Sequence, residues 1–340
     1  MCIFVVAQKI VFKKYFQMKH IALFTSGGDA PGMNAAIRAV VRTAISKGLQ
    51  VSGIKHGYEG MINDEFVKMN LDSVSNIIQT GGTILKTSRS ERFKTTEGRK
   101  TAFENLQKHK IDGLIAIGGD GTFTGANVFK NEYNVPCVGV PGTIDKDLSG
   151  TDFTIGFDTA VNTAMYAIDK IRDTADAHDR IFFVEVMGRD AGYIALNAGI
   201  ATGAEEILIP ETPTYLEDLY KHLADDFRRK KMCHIIIVAE GDDAGHAITI
   251  AEKVKKQFPN IDARTTVLGH IQRGGSPTYF DRVLASRLGF AAVEALLDNN
   301  FQVMAGLVND KIVYTKFENV IKQHPSIDKE ILKMVKILAS

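Results

Sequence analysis

From residue 18 onward, short runs of apolar and β-branched residues alternate with longer stretches whose apolar positions recur every three or four residues. The runs at 20–25, 51–55, 113–117, 136–140, 181–187, 206–209, 234–239 and 263–268 predict strands. Helical periodicity falls between most of them, at 34–47, 161–172, 216–230 and 281–297. In the first of these helices Ile37, Val40, Val41, Ala44 and Ile45 form one buried stripe, with Arg38 and Arg42 on its flank. Strand–helix alternation of this kind predicts an α/β fold with mostly parallel sheets in three layers. The 340 residues suffice for one large or two medium α/β lobes, and no internal repeat or low-complexity linker breaks the pattern.

Composition narrows the classes. Lys and Arg number 41 against 40 Asp and Glu, so no global field recruits nucleic acid or a membrane surface. The cysteines are Cys2, Cys137 and Cys233, far apart and without CxxC spacing, which supports neither a disulfide framework nor a structural zinc site and fits a reducing cytoplasm. No apolar run approaches the roughly 18 residues of a membrane span. Residues 1–17 make a poor signal peptide, because no basic region precedes their short apolar run. They are expected to be a disordered or start-site extension ahead of Met18, with an amphipathic arm as the alternative.

The chemistry lies in loops that follow predicted strands, where open α/β sheets bind ligands. Thr25–Asn34, TSGGDAPGMN, leads from a strand into a helix, so small residues and a helix N-terminus meet where phosphate oxygens bind well. It matches neither GxGxxG nor GxxxxGK[ST]. Gly118–Thr122, GGDGT, repeats that logic with a hard oxygen ligand, Asp120, suited to Mg²⁺ bridging phosphates. The same string occurs in NAD kinases and diacylglycerol kinases, so it speaks for ATP with magnesium rather than for an acceptor. In Pro141–Asp147, PGTIDKD, a carboxylate can take the proton of a hydroxyl nucleophile as a P–O bond forms. Asp145 and Asp147, two apart in an extended loop, are expected to point the same way. Thr143 adds a donor for a phosphoryl oxygen, and Arg89 a loop cation that can meet its spread charge.

Taken in order, TSGGDAPGMN, IGGDGT, PGTIDKD, VEVMGRDAG and TVLGHIQRGGSP resemble the bacterial ATP-dependent 6-phosphofructokinases from about Met18 to beyond residue 300. The resemblance implies two Rossmann-like lobes: a larger ATP-binding lobe at 18–156 plus 272–322, and a smaller fructose 6-phosphate lobe at 157–271 plus 323–340. It implies Asp145 as general base on the sugar 1-hydroxyl with Asp147 beside it, and Asp120 holding Mg²⁺. Gly28, Tyr58, Arg89 and Gly118, Gly119, Gly121 and Thr122 would line the ATP site. Arg89, Thr143 and Arg189 would stabilise the transferring phosphoryl group. Met187, Gly188, Glu240, His270 and Arg273 would bind the sugar phosphate, with Arg180 and Arg264 reaching it from a neighbouring subunit of a homotetramer. Arg38, Arg42, Arg172, Glu205, Arg229 and Lys231 would bind an effector, ADP or phosphoenolpyruvate.

Two departures stand out. Lys146 replaces the usual Asn, and a cation between two carboxylates would hold them ionised, unless it points away as alternate residues of an extended chain do. Leu71 stands where an effector-binding arginine is usual, so allosteric control is expected to be weak or altered. Pyrophosphate-dependent relatives typically carry Asp at the position of Gly121 and Lys at that of Gly142, so two glycines favour ATP. A non-catalytic sensor on this fold would be expected to lose Asp120 or Asp145, and an NAD or lipid kinase would not explain the PGTID, MGR and HIQRGG segments.

Overall fold

A computed structural model describes residues 18–229, 232–322 and 326–338, so the expectation for residues 1–17 lies outside the described residues. Among the described residues eleven strands form two sheets. The larger is built from β1 (His20–Thr25), β2 (Gln50–Ile54), β3 (Phe66–Met69), β4 (Gly113–Gly118), β5 (Cys137–Pro141), β10 (Val303–Val308) and β11 (Lys311–Lys316). The smaller holds β6 (Ile181–Val186), β7 (Glu206–Leu208), β8 (His234–Ala239) and β9 (Ala263–Val267). Strand order in the first sheet is β11-β10-β5-β4-β1-β2-β3, and in the second β7-β8-β6-β9. The second sheet is wholly parallel, whereas the first closes at each edge with an antiparallel strand, β3 on β2 and β11 on β10.

The helices that follow the strands are α1 (Met33–Ser46), α2 (Gly57–Ile62), α3 (Thr96–Lys108), α4 (Asp120–Tyr133), α5 (Phe157–Asp176) and α6 (Tyr193–Thr202). They continue with α7 (Leu216–Arg228), α8 (Ala247–Gln257), α9 (Tyr279–Leu297), α10 (Phe317–Lys322) and α11 (Lys329–Leu338). The predicted stripe of α1 is the buried one: Ile37, Val40, Val41 and Ala44 are in the core, and Ile45 is half-buried. That face packs on α9 so closely that a Cβ at Gly289 would come within 2.9 Å of the Ala36 carbonyl oxygen.

Strands β3, β10 and β11 were not among the predicted ones. Each belongs to an antiparallel edge pair, and the short, partly polar segments of β3 and β11 do not read as buried parallel strands. The β10–β11 hairpin did carry a local signal: Asn309 and Asp310, both left-handed with φ of 49° and 60°, make a two-residue turn between apolar runs.

A buried carboxylate joins the elements of the two sheets. Asp281, in the first turn of α9, accepts the Gly156 and Thr159 amides and the Thr159 hydroxyl at 2.8, 2.9 and 2.6 Å, and so caps the start of α5. Among the described residues no helix is long and apolar enough to cross a membrane.

Candidate functional site

In the large sheet the chain runs from β1 outward to β2 and β3, then returns to the other side of β1 with β4 and β5. Loops leaving β1 and β4 therefore diverge, and the crevice between them is the expected ligand position of an open α/β sheet. A cleft of about 570 Å³ lies there. Its walls include Ser26, Gly27 and Gly28 after β1 and Gly119, Asp120, Gly121 and Thr122 at the start of α4. Gly142, Thr143, Asp145 and Asp147 after β5 complete the floor, with Arg189 and Arg273 from beyond it.

The local backbone explains these residue types. The start of α4 borders the cleft, and the partial positive charge of a helix N-terminus favours an anion there. Gly118 sits just behind, where a Cβ would lie 2.3 Å from the Thr122 Oγ1 and 2.6 Å from the Ser26 carbonyl oxygen. Gly28 leaves room for Arg273, whose guanidinium would be 2.6 Å from an added Cβ and donates to the Asp29 carbonyl at 3.1 Å. At Gly121 an added Cβ meets nothing within 4 Å, so a larger side chain would project into open space. Gly142 differs: its Cβ would press on Ile117 and Met33, each at 3.1 Å, so packing as well as ligand room calls for glycine.

Arg89 reaches the cleft on an exposed loop anchored at both sides. Thr87 donates to the Gly27 carbonyl and Ser88 to the His56 carbonyl, each at 2.8 Å. Further back, the buried Asn34 side chain donates to the Thr80 and Gly81 carbonyls and accepts the Ile84 amide, holding the Gly81–Gly82 segment. Tyr58 is almost wholly buried, donates to the Thr122 carbonyl at 2.6 Å and stacks on Phe93 at 3.9 Å. The sequence reading missed Phe93, Lys94, Arg99, Gly125 and Val128 on this wall. Gly125 and Val128 lie four and seven residues after Gly121, so helical spacing pointed to them. The Arg99 guanidinium pairs with Glu132 at 2.6 Å and donates to the Phe93 and Lys94 carbonyls, fixing the turn that carries them.

Asp145 is buried, and its amide donates to Thr143 Oγ1 at 3.1 Å. Burial pushes its carboxyl up to about 6, the negative charge of Asp147 adds to the rise, and Arg273 and Arg189 oppose it. Its Oδ1 and that of Asp120 are buried without a hydrogen-bond partner. Such oxygens at a phosphate-binding helix start have the chemistry of a hard-cation ligand in Asp120 and a proton acceptor in Asp145. Among the described residues no group of three or more His, Cys, Asp or Glu could hold a metal by itself. A magnesium ion would thus take Asp120 together with phosphate oxygens and water.

Lys146 does not stand between the two carboxylates. Its backbone is left-handed, φ 55°, a conformation in which Asn is several-fold enriched and Lys is not. That turn carries the amine away from the cleft to Phe153, Phe157 and Tyr193, whose ring centres lie 5.2, 5.1 and 5.4 Å from it. Of the two expectations for this cation, the one in which it points away from the carboxylates matches the structure, and the charges that oppose the rise of Asp145 are Arg273 and Arg189.

The remaining candidates fall along the small sheet. Because β6, β8 and β9 are parallel neighbours, their carboxyl ends align Met187, Gly188 and Arg189 with Glu240 and the Leu268–Arg273 segment. The Met187 amide donates to Gln272, and the Arg189 amide, at left-handed φ 54°, donates to Glu240 at 2.6 Å. Glu240 therefore shapes the arginine turn. His270 is exposed at the same edge. Arg180 and Arg264 sit at the opposite end, flanking the Ile181–Ala263 pair, and both bind Asp262, at 2.7 and 2.8 Å. Seven residues of extended chain, roughly 23 Å at ~3.3 Å per residue, separate Arg180 from Met187. Neither arginine lines its own cleft.

Of the proposed effector ligands, Arg38 and Arg42 lie on α1, half-buried and exposed. Arg172 on α5 donates to the Thr202 and Gly203 carbonyls at 2.9 Å and pairs with Glu205 at 3.5 Å. Arg229 is exposed at the end of α7, Leu71 is exposed beside β3, and Lys231 lies outside the described residues.

A crevice lined by helix-start amides, with a buried carboxylate on its floor, has the make-up of a phosphotransferase site on a two-sheet α/β scaffold. The chain belongs to the phosphofructokinase family, whose model matches residues 20–296. It is 57% identical over 94% of its length to the ATP-dependent 6-phosphofructokinase of Cytophaga hutchinsonii, covering 98% of that protein. It is 54% identical over 95% of its length to ATP-dependent 6-phosphofructokinase 1 of Thermus thermophilus, covering all of it. Its fold superposes on the structure of phosphofructokinase from Saccharomyces cerevisiae with a TM-score of 0.84 and 38% identity over 89% of this chain. The chain spans only 45% of that yeast chain.

Proposed function

We propose that this protein transfers the terminal phosphoryl group of ATP to the 1-hydroxyl of fructose 6-phosphate, forming fructose 1,6-bisphosphate and ADP. The observation that carries this reading is the buried Asp145 carboxylate on the floor of a nucleotide-sized cleft, facing the amides that open α4. The lobe built on the large sheet (18–156 plus 272–322) binds the nucleotide, and the lobe built on the small sheet (157–271 plus 323–340) binds the sugar phosphate.

Asp145 accepts the hydroxyl proton as the new P–O bond forms, and the matched value near 6 keeps it ionised at neutral pH. Asp147 shares the acceptor position. Thr143, Arg89 and Arg189 donate to the equatorial oxygens, whose charge grows as the donor bond loosens. Asp120 would hold Mg²⁺, which when bound neutralises charge on the bridged phosphates. Gly28, Tyr58, Gly118, Gly119, Gly121 and Thr122 seat the nucleotide. Met187, Gly188, Glu240, His270 and Arg273 hold the sugar phosphate, and Arg180 and Arg264 serve a neighbouring site in a cytoplasmic homotetramer, since each lies a strand's length from its own.

A coupled assay for fructose 1,6-bisphosphate with Mg²⁺ tests the donor. ATP is expected to support turnover at least ~100-fold faster than pyrophosphate, because no side chain at 121 fills the space of a nucleotide. Equal rates would sink the nucleotide reading. Arg38, Arg42, Arg172, Glu205, Arg229 and Lys231 form the proposed effector site for ADP or phosphoenolpyruvate. With the exposed Leu71 in place of a cation, one charge-assisted contact worth about 1.5–3 kcal/mol is missing. Phosphoenolpyruvate is therefore expected to inhibit weakly, and strong inhibition with sigmoidal sugar-phosphate kinetics would contradict this.

A further inference from the structure

Lys146 occupies a seat that the reaction as derived above leaves unused. Its amine lies 5.1–5.4 Å from three ring centres, and these rings come from three separate segments. Phe153 belongs to the stretch leading into α5, Phe157 is the first residue of α5, and Tyr193 is the first residue of α6. Tyr193 follows directly on the turn that carries Arg189, and its phenolic oxygen is buried without a hydrogen-bond partner. The contact with that residue is therefore one of cation and ring face. Phe153 is itself braced edge-on by Phe280 of α9, at 4.9 Å.

One residue of the carboxylate loop is thus clasped by the starts of two helices that flank the small sheet. Lys146 lies between Asp145 and Asp147 in the chain, and a cation shared among three aromatic faces is an attractive, partly desolvated contact. Burial lowers its pKa, and the Asp152 carboxylate works against that fall. The left-handed backbone, unusual for lysine, is what sends the side chain this way.

We propose that Lys146 is a positioning residue, a cation–π tether that fixes the Asp145 loop relative to the Arg189 turn. Arg189 and Asp145 act on opposite ends of the same forming bond, the arginine on the phosphoryl oxygens and the carboxylate on the hydroxyl proton. Their separation must hold through the transition state, where small misplacements are costly to rate. The tether spans the parts that carry them. It rests on the reading of Asp145 as the general base.

Lys146→Met keeps length and apolar contact and removes the charge. It is expected to lower kcat by about 3–30-fold, the range of a desolvated cation–π contact expressed as a rate ratio, with KM for ATP within about 2-fold of wild type. Lys146→Arg, which also stacks on rings, is expected to recover kcat to within about 3-fold. Tyr193→Leu cuts the same tether from the other side without altering the carboxylate loop. The double variant K146M/Y193L is expected to be no slower than the slower single variant. Wild-type kcat in K146M, no recovery in K146R, or losses that multiply in the double variant would each overturn the tether. Failure of the base reading shows separately, as near-normal turnover of Asp145→Ser in an otherwise wild-type chain.

Discussion

Asp145→Ser is expected to lower the turnover of fructose 6-phosphate by at least ~100-fold, the lower range for loss of a general base, while the sugar KM changes by only a few-fold. Serine keeps a small polar side chain in the buried position, so the loss reports proton acceptance rather than collapse of the loop. The Thr143 hydroxyl still receives the residue's backbone amide. The pH profile of the wild-type enzyme carries the same message. Burial raises the Asp145 carboxyl to about 6, and only the ionised form accepts a proton. The kcat of the wild type is therefore expected to fall as pH drops below about 6 and to level off above it. That limb disappears from the residual activity of the serine variant. A variant with turnover near wild type, or a wild-type profile flat down to pH 4.5, would remove Asp145 from the assigned role.

The largest stability effect is expected at Asp281, outside the cleft. Its carboxylate accepts two amides and a hydroxyl, and Asp281→Ala leaves these donors buried without an acceptor. The cost is about 3 kcal/mol, the scale of one or two unsatisfied buried donors. Spread over the unfolding entropy of a chain this size, ~2 cal/mol/K per residue, that is a fall in Tm of about 4 °C. The pH dependence has a definite sign. Burial raises this carboxyl to about 6, against donors from Thr159 and Gly156 that pull it down. A raised carboxyl contributes stability that is present below the ordinary range near pH 4 and is lost as pH rises through 6. The stability gap between wild type and variant is therefore expected to widen as pH falls from 7 to 4. Thermal melts of both proteins across that range check it, and a Tm change under 1 °C at pH 7 would show that α5 does not depend on this cap.

Much of the architecture was legible because parallel strands buried on both faces read as continuous apolar runs. β1 and β8 begin and end where the pattern places them, and α1 turns its predicted stripe inward. Legibility failed at the sheet edges, where Phe66–Met69 and Lys311–Lys316 mix polar with apolar residues and pair antiparallel with their neighbours. In the cleft, each glycine-bounded loop was visible by itself, since a backbone that approaches phosphate needs small residues. The seat of Lys146 was not visible. Its direction depends on a left-handed φ at one residue, and its partners Phe153, Phe157 and Tyr193 converge only through packing of two helices. Sequence distance likewise hid Phe93, on a short turn whose carbonyls accept from Arg99 of α3.

The Arg273 guanidinium resting on the Asp29 carbonyl joins residues 244 positions apart. A ribosome adding ~5–20 residues per second takes roughly 12–50 s to travel that distance. The glycine-rich turns of the large sheet are all made within the first half of that interval, and for the rest of it the cleft still lacks one wall. The residues that seat the nucleotide, from Gly28 to Thr122, are all made well before Arg273, so the wall that meets the sugar phosphate is the last to arrive, with about four-fifths of the polypeptide synthesised.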